Sequence, residues 1–279
     1  MVICKTVASL DDYLFSKGSG VITGFIPTMG ALHEGHASLI REARSNGRFT
    51  ICSVFVNPTQ FNDPADYAKY PKTLDADILT LEKSGVDVLF MPSVEEMYPD
   101  GTQLKKHYDL GYLETILEGQ YRPGHFQGVC QVVERLLRIV HPTELYMGQK
   151  DYQQCMVLKK LITLEALPVT MIICPTQRAA DGLALSSRNL RLDHAQREHA
   201  VALYKTLQFV KGHIKPGPLQ SLKARAKEDL EKGGFRVDYV EIAAAADLKV
   251  LDTWDGQQPS IALVAAFSGE VRLIDNLLL

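Results

Sequence analysis

Short apolar runs alternate with amphipathic stretches through the first 175 residues of the chain. Val21 to Pro27, Phe49 to Val56, Val86 to Met91, Glu144 to Met147 and Val169 to Cys174 are apolar and rich in β-branched residues. Near-continuous apolar runs of this length suit strands covered on both faces, as in a parallel sheet. Between them Leu74, Ile78 and Leu81 recur at helical spacing, and Gly85 supplies a stop. Val129, Val132, Val133, Leu136, Leu137 and Val140 trace one face of a longer helix, ended by His141-Pro142. Strand and helix in alternation predict an α/β domain with a Rossmann-like, doubly wound parallel sheet over residues 1–176. In such sheets ligands bind beyond the carboxyl ends of the strands, so chemistry is sought just after each run.

The pattern changes after residue 176. Asp181 to Asn189 reads as a loop, and Asp193 can cap a helix running to about Gly212. Lys215-Pro-Gly-Pro218 reads as a linker or turn. A second helix reaches Gly233-Gly234, followed by strand-like runs at Val237 to Ala243 and Ser260 to Phe267. Helices followed by strands predict a smaller α+β domain over residues 177–279.

Composition narrows the setting. The chain has 279 residues, 46% hydrophobic and 23% charged, the balance of a globular protein. Its formal charge of −3 argues against a general nucleic-acid binder, whose phosphate contacts need a basic excess. Cys4, Cys52, Cys130, Cys155 and Cys174 are odd in number with no C-x-x-C pair, so neither a disulfide framework nor a zinc ribbon is favoured. Met1 to Phe15 carries Lys5, Asp11 and Asp12 in place of a signal-peptide core, and no apolar run approaches the roughly 20 residues of a membrane helix. The expectation is a soluble, cytoplasmic protein with no membrane partner.

The first candidate for chemistry is Pro27-Thr-Met-Gly-Ala-Leu-His-Glu-Gly-His36. A strand ends, Gly30 permits a tight turn, and a helix is expected to begin near His36. Backbone N–H groups and the helix dipole favour a phosphate at such a place. This is neither a Walker loop nor G-x-G-x-x-G. His33 and His36 could donate to phosphate oxygens and stabilise charge developing on phosphorus. A metal pair and plain surface histidines remain the alternatives, and the H-E-x-x-H spacing for zinc is absent.

Thr28 to His36 resembles the HxGH signature of the nucleotidyltransferase superfamily that includes the class I aminoacyl-tRNA synthetases. Four further stretches narrow the likeness: Phe55-Val-Asn-Pro-Thr-Gln-Phe61, Arg122-Pro-Gly-His-Phe-Gln-Gly128, Gly148-Gln-Lys-Asp-Tyr-Gln-Gln154, and Arg178 with Asp181-Gly-Leu-Ala-Leu-Ser-Ser-Arg-Asn189. In order and spacing they resemble the pantoate–β-alanine ligase family from about residue 22 to 190. The last ninety residues match in general character only.

The resemblance implies an ATP-dependent acid–amine ligase that uses Mg²⁺ and passes through an enzyme-bound pantoyl adenylate. It assigns Met29, Gly30, Ala31, Leu32, His33, Glu34, Gly35 and His36 to ATP, with His36 catalytic and His33 its phosphate-contacting companion. Lys150 is implied as a catalytic cation on the triphosphate. Gly148, Gln149 and Asp151 are implied near the nucleotide, with Gly148 and Asp151 at the ribose. Gln177, Leu185, Ser186, Ser187 and Arg188 complete the ATP set, the last three closing over the phosphates as part of a C-terminal lid. Gln60 and Gln154 match pantoate-binding glutamines, and Gln60 also matches the residue that meets β-alanine. Pro27, Met29 and Phe55 could wall the pocket. Asp77 resembles a carboxylate near Mg²⁺, and a homodimer is implied through the N-terminal domain.

Two positions depart from the family pattern. Gln177 stands where an aliphatic residue usually contacts adenine, and Ala76 replaces an acidic residue that some members place before Asp77. The second change weakens a two-carboxylate metal site and favours Mg²⁺ held by phosphates and water. Arg122 and His125 fit either substrate steering or a structural turn. Two rivals remain, a plain adenylyltransferase and a non-catalytic nucleotide-binding module. The first needs an extra cationic site, and the second has no use for so many phosphate-directed groups.

Overall fold

A computed structural model describes residues 1–18, 20–61 and 67–279. The chain divides into two compact units, Met1–Gly148 with Val157–Pro175, and Gln149–Met156 with Thr176–Leu279. The segment 149–156 thus groups with the second unit, a non-contiguous arrangement that hydrophobic pattern alone does not signal.

The first unit is built on six strands: β1 (Val2–Cys4), β2 (Thr23–Thr28), β3 (Phe49–Val54), β4 (Val88–Phe90), β5 (Glu144–Gly148) and β6 (Thr170–Cys174). They form one sheet in the order β1-β4-β3-β2-β5-β6, with every pairing parallel. Five of these strands fall on the apolar runs with ends shifted by one or two residues, β2 and β5 each running one residue beyond the expected end. The three-residue edge strand β1 was not expected. Its helices are α1 (Val7–Phe15), α2 (Glu34–Ser45), α3 (Leu74–Lys83), α4 (Val94–Met97), α5 (Leu117–Tyr121), α6 (His125–Val140) and α7 (Tyr152–Leu164), the last shared with the second unit.

Ile26, Ile40, Cys52, Leu81, Leu89 and Tyr146 pack in one core cluster where helices cover the sheet. Helix α6 is buried along most of its length, as its apolar periodicity demands, and ends with His141 in the left-handed region at φ 45° before Pro142. Glu134 on its inner side accepts from the Tyr108 hydroxyl at 2.7 Å, Lys106 at 2.9 Å and Arg138 at 2.8 Å. Burial opposes the charge on Glu134, yet these donors outweigh it and hold the carboxyl down to about 2.

The second unit contains α8 (His194–His199), α9 (Ala202–His213), α10 (Gln220–Lys232) and the strands β7 (Gly217–Pro218), β8 (Arg236–Ala244), β9 (Thr253–Trp254), β10 (Ser260–Ser268) and β11 (Val271–Leu278). Strands β11-β10-β8 form an antiparallel sheet, and β7 pairs with β9. Leu203, Leu207, Val210, Leu230, Ile242 and Val264 make its core. The single helix expected from Asp193 is two helices, α8 and α9, and the expected linker or turn at Lys215–Pro218 contributes the strand β7. Among the described residues, no helix is long and apolar enough to cross a membrane.

Candidate functional site

Strand order decides where a ligand would sit. From β2 the sheet extends to β3 on one side and β5 on the other, so the carboxyl ends of β2 and β5 flank the topological switch point. The Thr28–His36 segment follows β2, and Gly148 ends β5.

Gly30 turns the chain at φ 80°, and Ala31 follows in the left-handed region at φ 49°. Helix α2 then starts at Glu34, two residues before the expected point, because His33 is its N-cap. His33 Nδ1 accepts from Gly35 N–H at 3.1 Å, and His36 Nδ1 accepts from His33 N–H at 3.2 Å. The two rings lie with centroids 4.1 Å apart. With both Nδ1 atoms occupied as acceptors, the neutral rings carry their protons on Nε2. Two Nε2–H donors are thus set side by side at a helix N-terminus, an arrangement suited to anionic oxygens.

Asp77 holds the turn that follows β2. Its buried carboxylate accepts from Ala31 N–H at 3.0 Å and Leu32 N–H at 2.7 Å, and from the Thr73 hydroxyl at 3.1 Å. Both oxygens are committed to holding the turn that bears the histidines. Among the described residues there is no group of three His, Cys, Asp or Glu side chains that could hold a metal ion. The side chains do not fit a protein-built Mg²⁺ cage, and Asp77 fits a clamp.

Gln60 is held from several sides. It lies in the single turn Pro58–Gln60, capped by the buried Asn57. Asn57 Nδ2 donates to Gln60 Oε1 at 3.1 Å, while the Tyr98 hydroxyl donates to Asn57 Oδ1 at 2.8 Å. Burial pushes the Tyr98 phenol up to about 12, so it stays a proton donor. With Oε1 taken, the Gln60 amide presents its N–H₂ end, which reaches Met29 Sδ at 3.0 Å.

His125 Nδ1 lies 2.8 Å from the Gln60 carbonyl and Nε2 lies 3.0 Å from Arg122 Nη1. The carbonyl can only accept and the guanidinium can only donate, which fixes the proton on Nδ1. A Cβ on Gly128 would sit 2.1 Å from the Thr59 carbonyl oxygen, so the turn packs directly on the backbone of α6. Arg122, His125 and Gly128 therefore build the seat of Gln60, the structural option of the two open for the R-P-G-H segment.

In the second unit, Gln149–Asp151 form a single turn leading into α7, which bears Gln154. Lys150 Nζ lies 3.8 Å from Asp151 Oδ1. Leu185 N–H donates to the Gln177 carbonyl at 2.9 Å, and Arg178 bridges Ala184, so a small hairpin carries the Ser186-Ser187-Arg188 segment. Ser186 caps the turn Ser187–Arg191 by accepting from Arg188 N–H at 3.3 Å. Gln177 is thus tied through its backbone carbonyl.

A sequence profile described as pantoate-beta-alanine ligase matches residues 2–278. The chain belongs to the pantoate–β-alanine ligase family. The pantothenate synthetase of Phocaeicola vulgatus is 41% identical over 284 residues, covering 99% of both chains. That of Bacteroides thetaiotaomicron is 42% identical over 282 residues, covering 99% of this chain and 98% of its own. The crystal structure of pantothenate synthetase from Thermus thermophilus superposes with a TM-score of 0.88 at 40% identity, covering 99% of each chain. The pantoate-beta-alanine ligase from Francisella tularensis, complexed with beta-gamma ATP and beta-alanine, gives 0.84 at 39% identity, covering 100% of this chain and 97% of that one. A pantoate–β-alanine ligase is an enzyme, and the six-stranded parallel sheet with a smaller antiparallel-sheet unit is the architecture this family shares.

Within that family frame, sequence reasoning passed over Asn57 and Tyr98. Asn57 lies inside a quoted motif, but its cap could be read only as one turn among many. Tyr98 is 41 residues away and carries no local signal.

Proposed function

We propose that the chain joins pantoate to β-alanine with ATP in two half-reactions. A pantoate carboxylate oxygen attacks the α-phosphorus, the bond to the pyrophosphate oxygen breaks, and pyrophosphate leaves. The β-alanine nitrogen then attacks the acyl carbon of the adenylate, AMP departs, and the amine gives up a proton as the amide forms. No covalent bond to the enzyme is required.

The observation that carries this reading is the pair of Nε2–H donors on His33 and His36, clamped at the switch point. They suit the charge that builds on the α-phosphate as pyrophosphate separates. The second N–H of the Gln60 amide, beside the one directed at Met29, suits a pantoate oxygen, and its neutral amide distinguishes a hydroxy-acid pocket from the cationic site an adenylyltransferase would need. Family resemblance supports Lys150, Ser186, Ser187 and Arg188 acting on the phosphates, Gln154 on pantoate, Gln60 on β-alanine, and residues 177–279 serving as a lid. Any Mg²⁺ belongs on the nucleotide phosphates and their waters, since Asp77 is committed elsewhere. A homodimer in the cytoplasm completes the proposal, and five buried free cysteines are in keeping with a reducing compartment.

Incubation with ATP, pantoate and β-alanine tests it. Equal amounts of AMP and pantothenate are expected. Formation of ADP, or ATP turnover without pantothenate, would contradict it.

A further inference from the structure

Lys150 is a long, flexible cation on a single turn, and such a group stabilises a transition state only if its backbone is held. The support comes from the far end of the chain. Asn276, on β11 and 2% exposed, donates from Nδ2 to two successive carbonyls, Gln149 at 2.9 Å and Lys150 at 2.8 Å. Its Oδ1 accepts from Gln149 Nε2 at 3.2 Å. All of its side-chain hydrogen-bonding directions toward the turn are thus filled by residues 149 and 150.

Asn276 is itself fixed. Its N–H donates to Asp275 Oδ1 at 2.7 Å, and Arg178 grips Asp275 in two-pronged fashion at 2.6 and 2.9 Å. Arg178 also donates to the Asn276 carbonyl at 3.1 Å and the Gly182 carbonyl at 3.2 Å, and stacks over Tyr204 at 4.0 Å. Gly182 in turn crowds the Tyr204 ring, 2.4 Å from where a Cβ would lie. Strand β11 is anchored by its long antiparallel register with β10, where Asn276 faces Leu263 and Asp275 faces Val264. The Lys150 turn and the hairpin bearing Ser186-Ser187-Arg188 are therefore tied to neighbouring points of one rigid strand.

We propose that Asn276, braced by Asp275 and Arg178, is a positioning residue for Lys150 in the adenylation half-reaction. It touches no substrate and acts through the backbone of residues 149 and 150. The inference rests on the proposed function, because it assigns Lys150 to the triphosphate.

A double-mutant cycle on the full chain tests it, read by exchange of labelled pyrophosphate into ATP with pantoate present. Wild type must first show pantoate-dependent exchange that Lys150→Ala impairs. Absence of that exchange in wild type overturns the adenylate reading, whereas unimpaired exchange in Lys150→Ala overturns the Lys150 assignment and the positioning role of Asn276 with it. Given that step, Asn276→Ala is expected to lower saturated exchange by on the order of 10- to 100-fold, the scale of a misplaced catalytic group. In the Lys150→Ala background the same change is expected to cost less than about two-fold, and attack of β-alanine on supplied pantoyl adenylate should be unchanged. Should Asn276→Ala fold poorly, Asn276→Ser retains one donor and should give a smaller loss that again vanishes without Lys150. Equal losses in both backgrounds, or exchange within two-fold of wild type in every folded variant, would overturn the inference.

Discussion

Removing the Asp77 carboxylate should separate a clamp from a metal ligand. Asp77→Ala deletes the acceptors of Ala31 N–H, Leu32 N–H and the Thr73 hydroxyl in one step. Ala31 is 2% exposed and sits at φ 49°, so its orphaned N–H has little access to water and its backbone loses the contact that holds a disfavoured conformation. An unpaired buried donor costs about 1–3 kcal/mol, and Leu32 is partly accessible, so the loss is about 2–4 kcal/mol for the pair. Asp77→Asn keeps the shape but turns an amide N–H₂ toward one of the two N–H groups, so it should lose roughly half as much. Displacing the histidines by about 1 Å should also cost on the order of 10² in turnover. Urea denaturation and the AMP-forming assay, run across a Mg²⁺ titration, measure both effects. The clamp predicts lower stability and lower turnover at every Mg²⁺ concentration. Unchanged stability with activity restored by raised Mg²⁺ would refute it.

Three further outcomes follow from the same geometry. His36→Ala should lower adenylation by on the order of 10²–10³, the scale of a lost oxyanion donor, with ATP affinity changed far less; steady-state kinetics on the folded variant check this. Tyr98→Phe removes the donor to Asn57 and frees the Gln60 amide to rotate, so the pantoate KM should rise several-fold while the ATP KM holds. Glu134 is held down to about 2 when folded, below the ordinary unfolded value of about 4.3. Its contribution to stability is therefore present above about pH 5 and lost as pH falls toward 2; Glu134→Gln should flatten that part of an acid-unfolding curve.

The parallel sheet was legible because strands covered on both faces must be apolar throughout, and α6 because its buried face repeats over four turns. Strand β1 escaped because three residues, two of them exposed, offer no pattern. Strand β11 escaped for a related reason: Arg272, Asp275 and Asn276 interrupt its apolar positions, and Asp275 and Asn276 are buried as polar groups. The HxGH turn could be found as a motif, whereas its clamp could not. Asp77 lies 46 residues from Ala31, and Asn276 lies 126 residues from Lys150. Such bonds exist only after folding brings the partners together, and a lone Asp or Asn in a sequence resembles a solvated polar residue. The hydrogen bonds of Asp77 to Ala31 and Leu32 have no local signature. The same limit applies to Arg122 and His125, whose imidazole meets the Gln60 carbonyl 65 residues away in sequence.

Labelled pyrophosphate exchange into ATP tests the adenylate mechanism most directly. The first half-reaction needs only pantoate as nucleophile, and a retained adenylate makes it reversible. Exchange is therefore expected with pantoate alone, in the absence of β-alanine, and is expected to vanish when pantoate is withheld. Exchange that requires β-alanine, or that proceeds without pantoate, would contradict the mechanism and the roles assigned to His36 and Gln60.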